Sequence, residues 1–331
     1  MSQTPVSTDV VETAQLDPTK MDFSAEGSAA PPTSLTKIAV RKFVSNPFAI
    51  FGAIILAIFV VMCAFAPLFT HFKPAAIDMM NASVPPGTDG HLLGTDEIGR
   101  DVFARLLYGG RVSLIVGFCV AFCAVVLGTL IGAVAGYFGG WVDMVLMRLV
   151  DVMNSIPALF LNILVLSLFG SGFWLMITIL SLTSWMGVAR LVRGTFLQLR
   201  EMQYVQAARA IGVSNWSIIT KHLIRNATAP IIVNATLQIG NAILTESALS
   251  YLGLGVQPPQ TSWGLMLNNA QEFMLTNPME AVYPGLCILL VVLSINFIGD
   301  SLRDAIDPRT KVKISRRRLK KWRNRFSKSG I

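Results

Sequence analysis

The sequence predicts an all-α polytopic membrane protein with six transmembrane helices, and three observations carry that reading. Of its 331 residues, 53% are hydrophobic and only 14% charged, with a mean hydropathy of +0.58, whereas soluble domains carry about 25% charged residues. Six apolar runs have the length needed to cross a hydrocarbon core of about 30 Å. Lys and Arg are sorted by side between the segments that join those runs.

Taken in order, residues 1–34 are polar, mildly acidic and rich in Ser, Thr, Ala and Pro. That composition cannot bury enough apolar surface to offset ordering entropy, so a disordered cytoplasmic tail is expected. No basic stretch followed by a short apolar one opens the chain, so no signal peptide is expected. The first span, 48–69, follows Lys37, Arg41 and Lys42, which favours a cytoplasmic N-terminus. The remaining spans are expected at 111–136, 149–169, 173–192, 229–251 and 283–300. In the second, Gly128, Gly132 and Gly136 form a small-residue stripe that suits close packing, within the chain or against another subunit. In the third, Pro157 behind Asn154 and Ser155 either starts the span after a polar lead-in or breaks a helix that lines a pore. Pro230 and Pro284 are read as lying near span starts, where a missing N–H costs little.

A cytoplasmic start places 137–148, 193–228 and the C-terminal tail inside. These hold Arg148, Arg193, Arg200, Arg209, Lys221 and Arg225, with Arg190 at the margin. Outer loop 70–110 has Lys73, Arg100 and Arg105 against Asp78, Asp89, Asp96, Glu97 and Asp101, and loop 252–282 has no Lys or Arg. The tail KVKISRRRLKKWRNRFSKSG accounts for much of the +8 net charge. Beside a membrane such a cluster attracts anionic lipid at about 1 kcal/mol per charge. Membrane lipid is therefore the expected partner of this charge, and nucleic acid is not.

Chemistry-bearing patterns are sparse. Cys63, Cys119, Cys123 and Cys287 fall in or beside apolar runs and read as small buried hydrophobes. No phosphate-binding G-x-x-x-x-G-K-[ST], H-E-x-x-H or G-x-S-x-G occurs, and His71, His91 and His222 are far apart. No catalytic or metal site is expected, and any ATP would be bound by another polypeptide. Glu246, well inside the fifth span, is the main intramembrane candidate, lining a pathway or bonding to a neighbouring helix. Asp300, Arg303, Asp304 and Asp307 read as an ion-pair and capping network at the end of the last span.

The segment VQAARAIGVSNWSIITKHLIRN, 205–226, reads as two short helices on the inner side. The first runs from Gln203 to Ile211 with Ala207 and Ala208 on its surface. Gly212 ends it, and Ser214 caps a second, WSIITKHLIRN. Small residues let another surface approach, so the element suits a groove in a partner.

QAARAIG followed by KHLIRN resembles the EAA loop of ATP-binding-cassette importer permeases. Gln206 stands for the usual Glu, His222 for Ile, Ile224 for Leu and Arg225 for Pro. HLLGTDEIGRDVFARLLYGGRVSL, AGYFGGWVDMVLMRLVD, LSYLGLGVQPPQTSWGLML and NFIGDSLRDAIDPR are similar, in order, to the C-type permeases of dipeptide, oligopeptide and nickel importers. The resemblance covers about residues 40–310. It implies a five-helix core of spans two to six with the first span packed outside. It also implies a second, homologous permease in a heterodimer, two ATPase subunits carrying ATP and Mg, and an extracytoplasmic solute-binding protein. No cofactor is expected on this chain.

The implied organisation is a tail (1–34), first span and extracytoplasmic loop (35–110), permease core (111–310) with coupling loop 193–228, and basic cytoplasmic tail (311–331). Gln206, Ala207, Ala208, Gly212, Ser214 and His222 are the expected ATPase-coupling residues. Asn154, Ser155 and Glu246 are the translocation-path candidates, and loops 70–110 and 252–282 are expected to dock the binding protein. The expected location is the cytoplasmic membrane of a prokaryote, with both termini in the cytoplasm and peptides as cargo. The alternative is a proton- or cation-coupled secondary transporter using Glu246 and Asp151.

Overall fold

Asn46 and Pro47 open the first span. The Asn46 side chain accepts the Phe48 N–H at 3.1 Å, and Pro47 takes a first-turn position, where it has no N–H to leave unpaired. The computed structural model describes residues 35–306, so the two predicted tails and Asp307 lie outside the described residues. Helix α1 (Leu35–Val44) precedes α2 (Pro47–Ala64). Near Pro67 the span gives way to the single turn α3 (Ala66–Phe69). Arg111 donates to the carbonyls of Cys63 at 3.1 Å and Ala64 at 2.9 Å, filling acceptors that the end of α2 leaves open.

The spans that follow are α4 (Val102–Phe138), the pair α5 (Gly140–Asn154) and α6 (Ala158–Phe169), and α7 (Phe173–Arg200). After the short α8 (Gln203–Ala210) comes α9 (Asn215–Tyr251), whose turns from Ile218 to Ile224 are π-helical. Helix α10 (Trp263–Asn269) lies outside the spans, and α11 (Met279–Ile306) completes the bundle. The described residues contain isolated bridges but no β-sheet. Among the described residues, five helices are long and apolar enough to cross a membrane, or six with the α5–α6 pair taken as one span.

The glycine stripe is the seam between α4 and α7. A Cβ on Gly128 would lie 2.5 Å from Val188 Cβ, on Gly132 2.4 Å from Ala189 O, and on Gly136 2.6 Å from Phe196 Cβ. Only hydrogen fits, and the stripe is spent on packing within the chain. Helix α9 packs against both α4 and α11. Helix α2 lies on the outside of α11, with Gly52 against the Ser294 carbonyl, Phe48 against Phe297 at 5.3 Å, and Asn46 Nδ2 donating to Ser301 Oγ at 2.9 Å. It buries Ala49, Gly52 and Cys63 and exposes Phe51, Ile54, Ile58 and Val61. That apolar outer face suits lipid, as expected of a peripheral span.

Several expected boundaries move. The second span begins at Val102, so the division at residue 110/111 falls inside one continuous helix. The fourth runs eight residues past 192, taking Arg193 through Arg200 out of the presumed loop. The fifth begins at Asn215, and Pro230 therefore lies deep inside a helix; Pro284 is likewise past the first turn of α11. Apolar runs report only the part of a helix at hydrocarbon depth, and these helices continue as polar turns beyond it. The third span is broken: α5 and α6 bend by 73° across Ser155–Pro157. Pro157 has no N–H for the ladder and disfavours helical geometry at Ile156, which selects the break from the two readings of that proline.

Candidate functional site

The segment between α7 and α9 forms a lobe at one end of the bundle. Helix α8 ends in a six-residue closure in which Val213 N donates to Ala208 O and Gly212 N to Arg209 O, each at 3.0 Å. This closure needs a left-handed residue at its fifth position, and Gly212 supplies it with φ of +80°. Ser214 then caps α9, its hydroxyl accepting from Ser217 N at 3.4 Å. The second helix expected here is thus the first turns of the fifth span.

The lobe is fused to the bundle. Val205, Ala208, Ile218, Ile219 and Leu223 share one buried cluster with Tyr137 of α4 and Val192 and Phe196 of α7. The Tyr137 hydroxyl donates to Asn215 Oδ1 at 2.6 Å, and the Arg209 guanidinium lies 4.9 Å from the Tyr137 ring centre. Arg200 reaches the Gly136 carbonyl at 3.3 Å, while Arg193 is paired with Asp143 of α5. Tyr137, Asn215 and Arg209 escape a sequence reading because they are joined across more than 70 residues; the aromatic residue ending span two inside AGYFGG is their one trace.

Of the expected coupling residues, Gln206, Ala207, Gly212 and Ser214 are exposed and His222 is half-buried. Ala208 is not on the surface: it faces the bundle within the shared cluster, because Val205 and Ala208, three apart, form the apolar face of α8. Gln206 Nε2 donates to the Glu201 carbonyl at 3.2 Å. The lobe also presents Ile211, 81% exposed, and Trp216, 66% exposed, on either side of Gly212. Two large apolar side chains held in solvent beside a rigid turn have the form of contact anchors.

The translocation candidates separate. Asn154 and Ser155 are exposed at the α5–α6 bend, where the Ser155 hydroxyl donates to the Val152 carbonyl at 2.6 Å. Glu246 is 0% exposed. Its carboxyl accepts from Ser250 Oγ at 2.7 Å, Ser113 Oγ at 2.9 Å and Ser247 Oγ at 3.4 Å, and Ser113 Oγ in turn accepts from Trp263 N at 3.4 Å. Of its two readings, the bond to a neighbouring helix fits these contacts. Glu246→Leu should leave the serines buried without an acceptor, at about 1–3 kcal/mol, whereas Glu246→Gln keeps one. Melting of the purified, assembled protein should show the leucine variant clearly destabilised and the glutamine variant near wild type.

At the other end of the bundle the loop 70–101 is held by side-chain caps. Asp101 caps α4 through Ala104 N at 2.5 Å and meets His91 Nδ1 at 2.7 Å. Asp96 accepts Arg100 N at 2.9 Å and Arg100 Nε at 2.7 Å and is paired with Arg105. Gly99, at φ +79°, passes so close to Asp78 O that a Cβ would lie 1.7 Å away.

The fold is a helical membrane bundle whose one end carries a lobe with exposed apolar side chains. Residues 128–312 match the family model described as the binding-protein-dependent transport system inner membrane component, and 34–86 match that of the N-terminal TM domain of oligopeptide transport permease C. The chain is 41% identical over 273 residues to the dipeptide transport system permease protein DppC of Alkalihalophilus pseudofirmus, covering 82% of this chain and 90% of that one. It is 40% identical over 277 residues to the oligopeptide transport system permease protein OppC of Escherichia coli (83% and 92%), and 36% over 276 residues to OppC of Bacillus subtilis (83% and 90%). The fold is similar to that of a chain of the MetNI methionine ABC transporter in an inward-facing conformation, with a TM-score of 0.52 and 19% identity over 61% of this chain and 96% of that one. The chain belongs to the binding-protein-dependent transport permease family. It is the membrane permease subunit of an ATP-driven importer, and hydrolysis takes place on separate subunits.

Proposed function

We propose that this chain is one of two unlike permeases in an importer of di- and oligopeptides. The lobe carries the reading: a Gly-terminated helix with exposed Ile211 and Trp216, sharing its core with α4 and α7, is built to receive a push and pass it on. An ATPase subunit docks over Gln206, Ala207, Gly212, Ser214 and the neighbourhood of His222, and ATP and Mg stay on the two ATPases. The lobe end is cytoplasmic with both chain termini, as the Lys and Arg distribution supports. The loops 70–110 and 252–282 then face the binding protein, Asn154 and Ser155 line the path opposite the second permease, and the basic charge of residues 311–331 attracts anionic lipid. Peptide cargo follows from the relatives, whose names are those of dipeptide and oligopeptide systems.

Affinity purification of the tagged chain in mild detergent is the test. A second permease and two Walker-motif ATPases should co-purify in stoichiometric amounts, and the complex in vesicles should accumulate labelled peptide only with ATP and binding protein. Solute movement by the chain alone without ATP would overturn the proposal in favour of a secondary transporter. The two carboxylates that rival would use do not favour it: Glu246 is enclosed by serines, and Asp151 is paired with Arg190 at 2.8 Å.

A further inference from the structure

The start of the last span brings a third carboxyl group to the charged corner of loop 70–101. Glu280 lies in the first turn of α11, ahead of the apolar run 283–300, and is 6% exposed. Its Oε1 accepts from Asn277 Nδ2 at 2.8 Å. Its carboxyl lies within hydrogen-bonding reach of Glu97, and Asp96 is the other charge that acts on it. The cations of this corner are already taken. Arg100 binds Asp96 at 2.7 Å and Glu97 Oε1 at 2.9 Å, Arg105 is paired with Asp96, and neither is paired with Glu280. Three carboxyl groups therefore share two guanidiniums, and Glu97 Oε2 is buried without a hydrogen-bond partner.

Two carboxyl groups sharing one buried site do not both ionise readily, and the one without a cation keeps its proton. Burial first, and then the charges of Glu97 and Asp96, push the Glu280 carboxyl up to about 7. A neutral Glu280 has an O–H to donate, and Glu97 Oε2 is a buried acceptor with nothing to accept. We propose that Glu280 and Glu97 form a proton-dependent latch that fastens loop 70–101 to the start of α11, the protonated Glu280 donating to Glu97 Oε2. A cavity of about 340 Å3 marks the joint: Ser83, Val84 and Thr95 of the loop face Asn277, Glu280 and Tyr283 across it. With the proton in place the bond closes this joint; without it two carboxylates face each other and the loop lifts. The docked loop holds the proton more tightly than water does. Docking is therefore strongest at acid pH and weakens as the pH rises from 4.5, the ordinary value, through about 7. The latch needs neither the orientation nor the cargo proposed above.

The test is hydrogen–deuterium exchange of the complete transporter in lipid nanodiscs from about pH 5 to about pH 9, each rate referred to the intrinsic rate at that pH. The reporters are the Ser83, Thr95 and Asp96 amides, which bond within the loop at 2.9, 3.2 and 2.9 Å. Their opening should become about tenfold more frequent across the transition, the effect of one pKa unit of differential protonation. Glu280→Gln keeps an N–H for Glu97 Oε2 at every pH, so its loop should stay closed throughout. Glu97→Gln removes the charge that Glu280 faces and should move the transition to lower pH. Wild-type protection that does not change with pH would overturn the latch. A Glu280→Gln transporter that loosens with pH as the wild type does would assign the effect to another group and overturn it equally. Should Glu280→Gln fail to assemble, Glu97→Gln decides, because a transition that stays in place overturns the pairing.

Discussion

Replacing Gly212 with valine is expected to abolish most uptake while leaving the transporter assembled. Gly212 sits at φ +80° with nothing within 4 Å of a Cβ placed there, so space is not at issue. The cost is conformational: a left-handed L-residue costs about 1–2 kcal/mol, and a β-branched one is a true outlier there. Losing that conformation frees Val213 N and Gly212 N from the end of α8 and swings Ile211 away from Trp216. Asn tolerates the left-handed region, so peptide uptake should rank Gly, then Asn, then Ala, then Val. ATP hydrolysis that persists but no longer responds to binding protein would locate the defect in coupling. Equal losses for Asn and Val would show that backbone geometry is not what matters at this turn.

Gly132→Val should strongly destabilise the bundle. Its Cβ would be driven to 2.4 Å from the Ala189 carbonyl and 2.9 Å from Val192 Cβ, and a helix backbone cannot step aside alone. Helices α4 and α7 must separate along a seam that Gly128 and Gly136 continue, and overpacking of this kind costs about 1–3 kcal/mol per site. Gly187 and Gly194 on α7 provide the control, since a Cβ on either meets nothing within 4 Å. Alanine there should leave melting unchanged or raise it slightly, by the helix preference of about 0.5–1 kcal/mol. Melting curves in detergent that fail to separate the two glycine classes would contradict the seam.

These two glycines mark how far the sequence could be read. The spacing of Gly128, Gly132 and Gly136 announced a seam, but nothing local named Val188, Ala189, Val192 and Phe196 as the other side. Gly212 and Ser214 were legible because helix ends are written in one or two residues. That the helix capped by Ser214 runs on into the fifth span was not, because polarity from Ser214 to Asn226 looks the same in a separate short helix and in one projecting beyond the hydrocarbon. Glu246 was recognisable as an oddity; Ser250, one turn on, was within local reach, whereas Ser113 lies 133 residues away. The misplacement of Ala208 has a simpler origin. In an eight-residue helix a single apolar neighbour, Val205, decides which face turns inward, and a small side chain carries almost no signal of its own.

Asn215 and Glu246 belong to one uninterrupted helix, and at 1.5 Å per residue they stand about 46 Å apart. A displacement imposed beside Ser214 is passed along the shaft to the serine ring, less what is absorbed in the π-helical turns between Ile218 and Ile224 and at Pro230, which has no N–H for the ladder. In such a shaft the displacement that reaches the serine ring scales with the one imposed at the lobe.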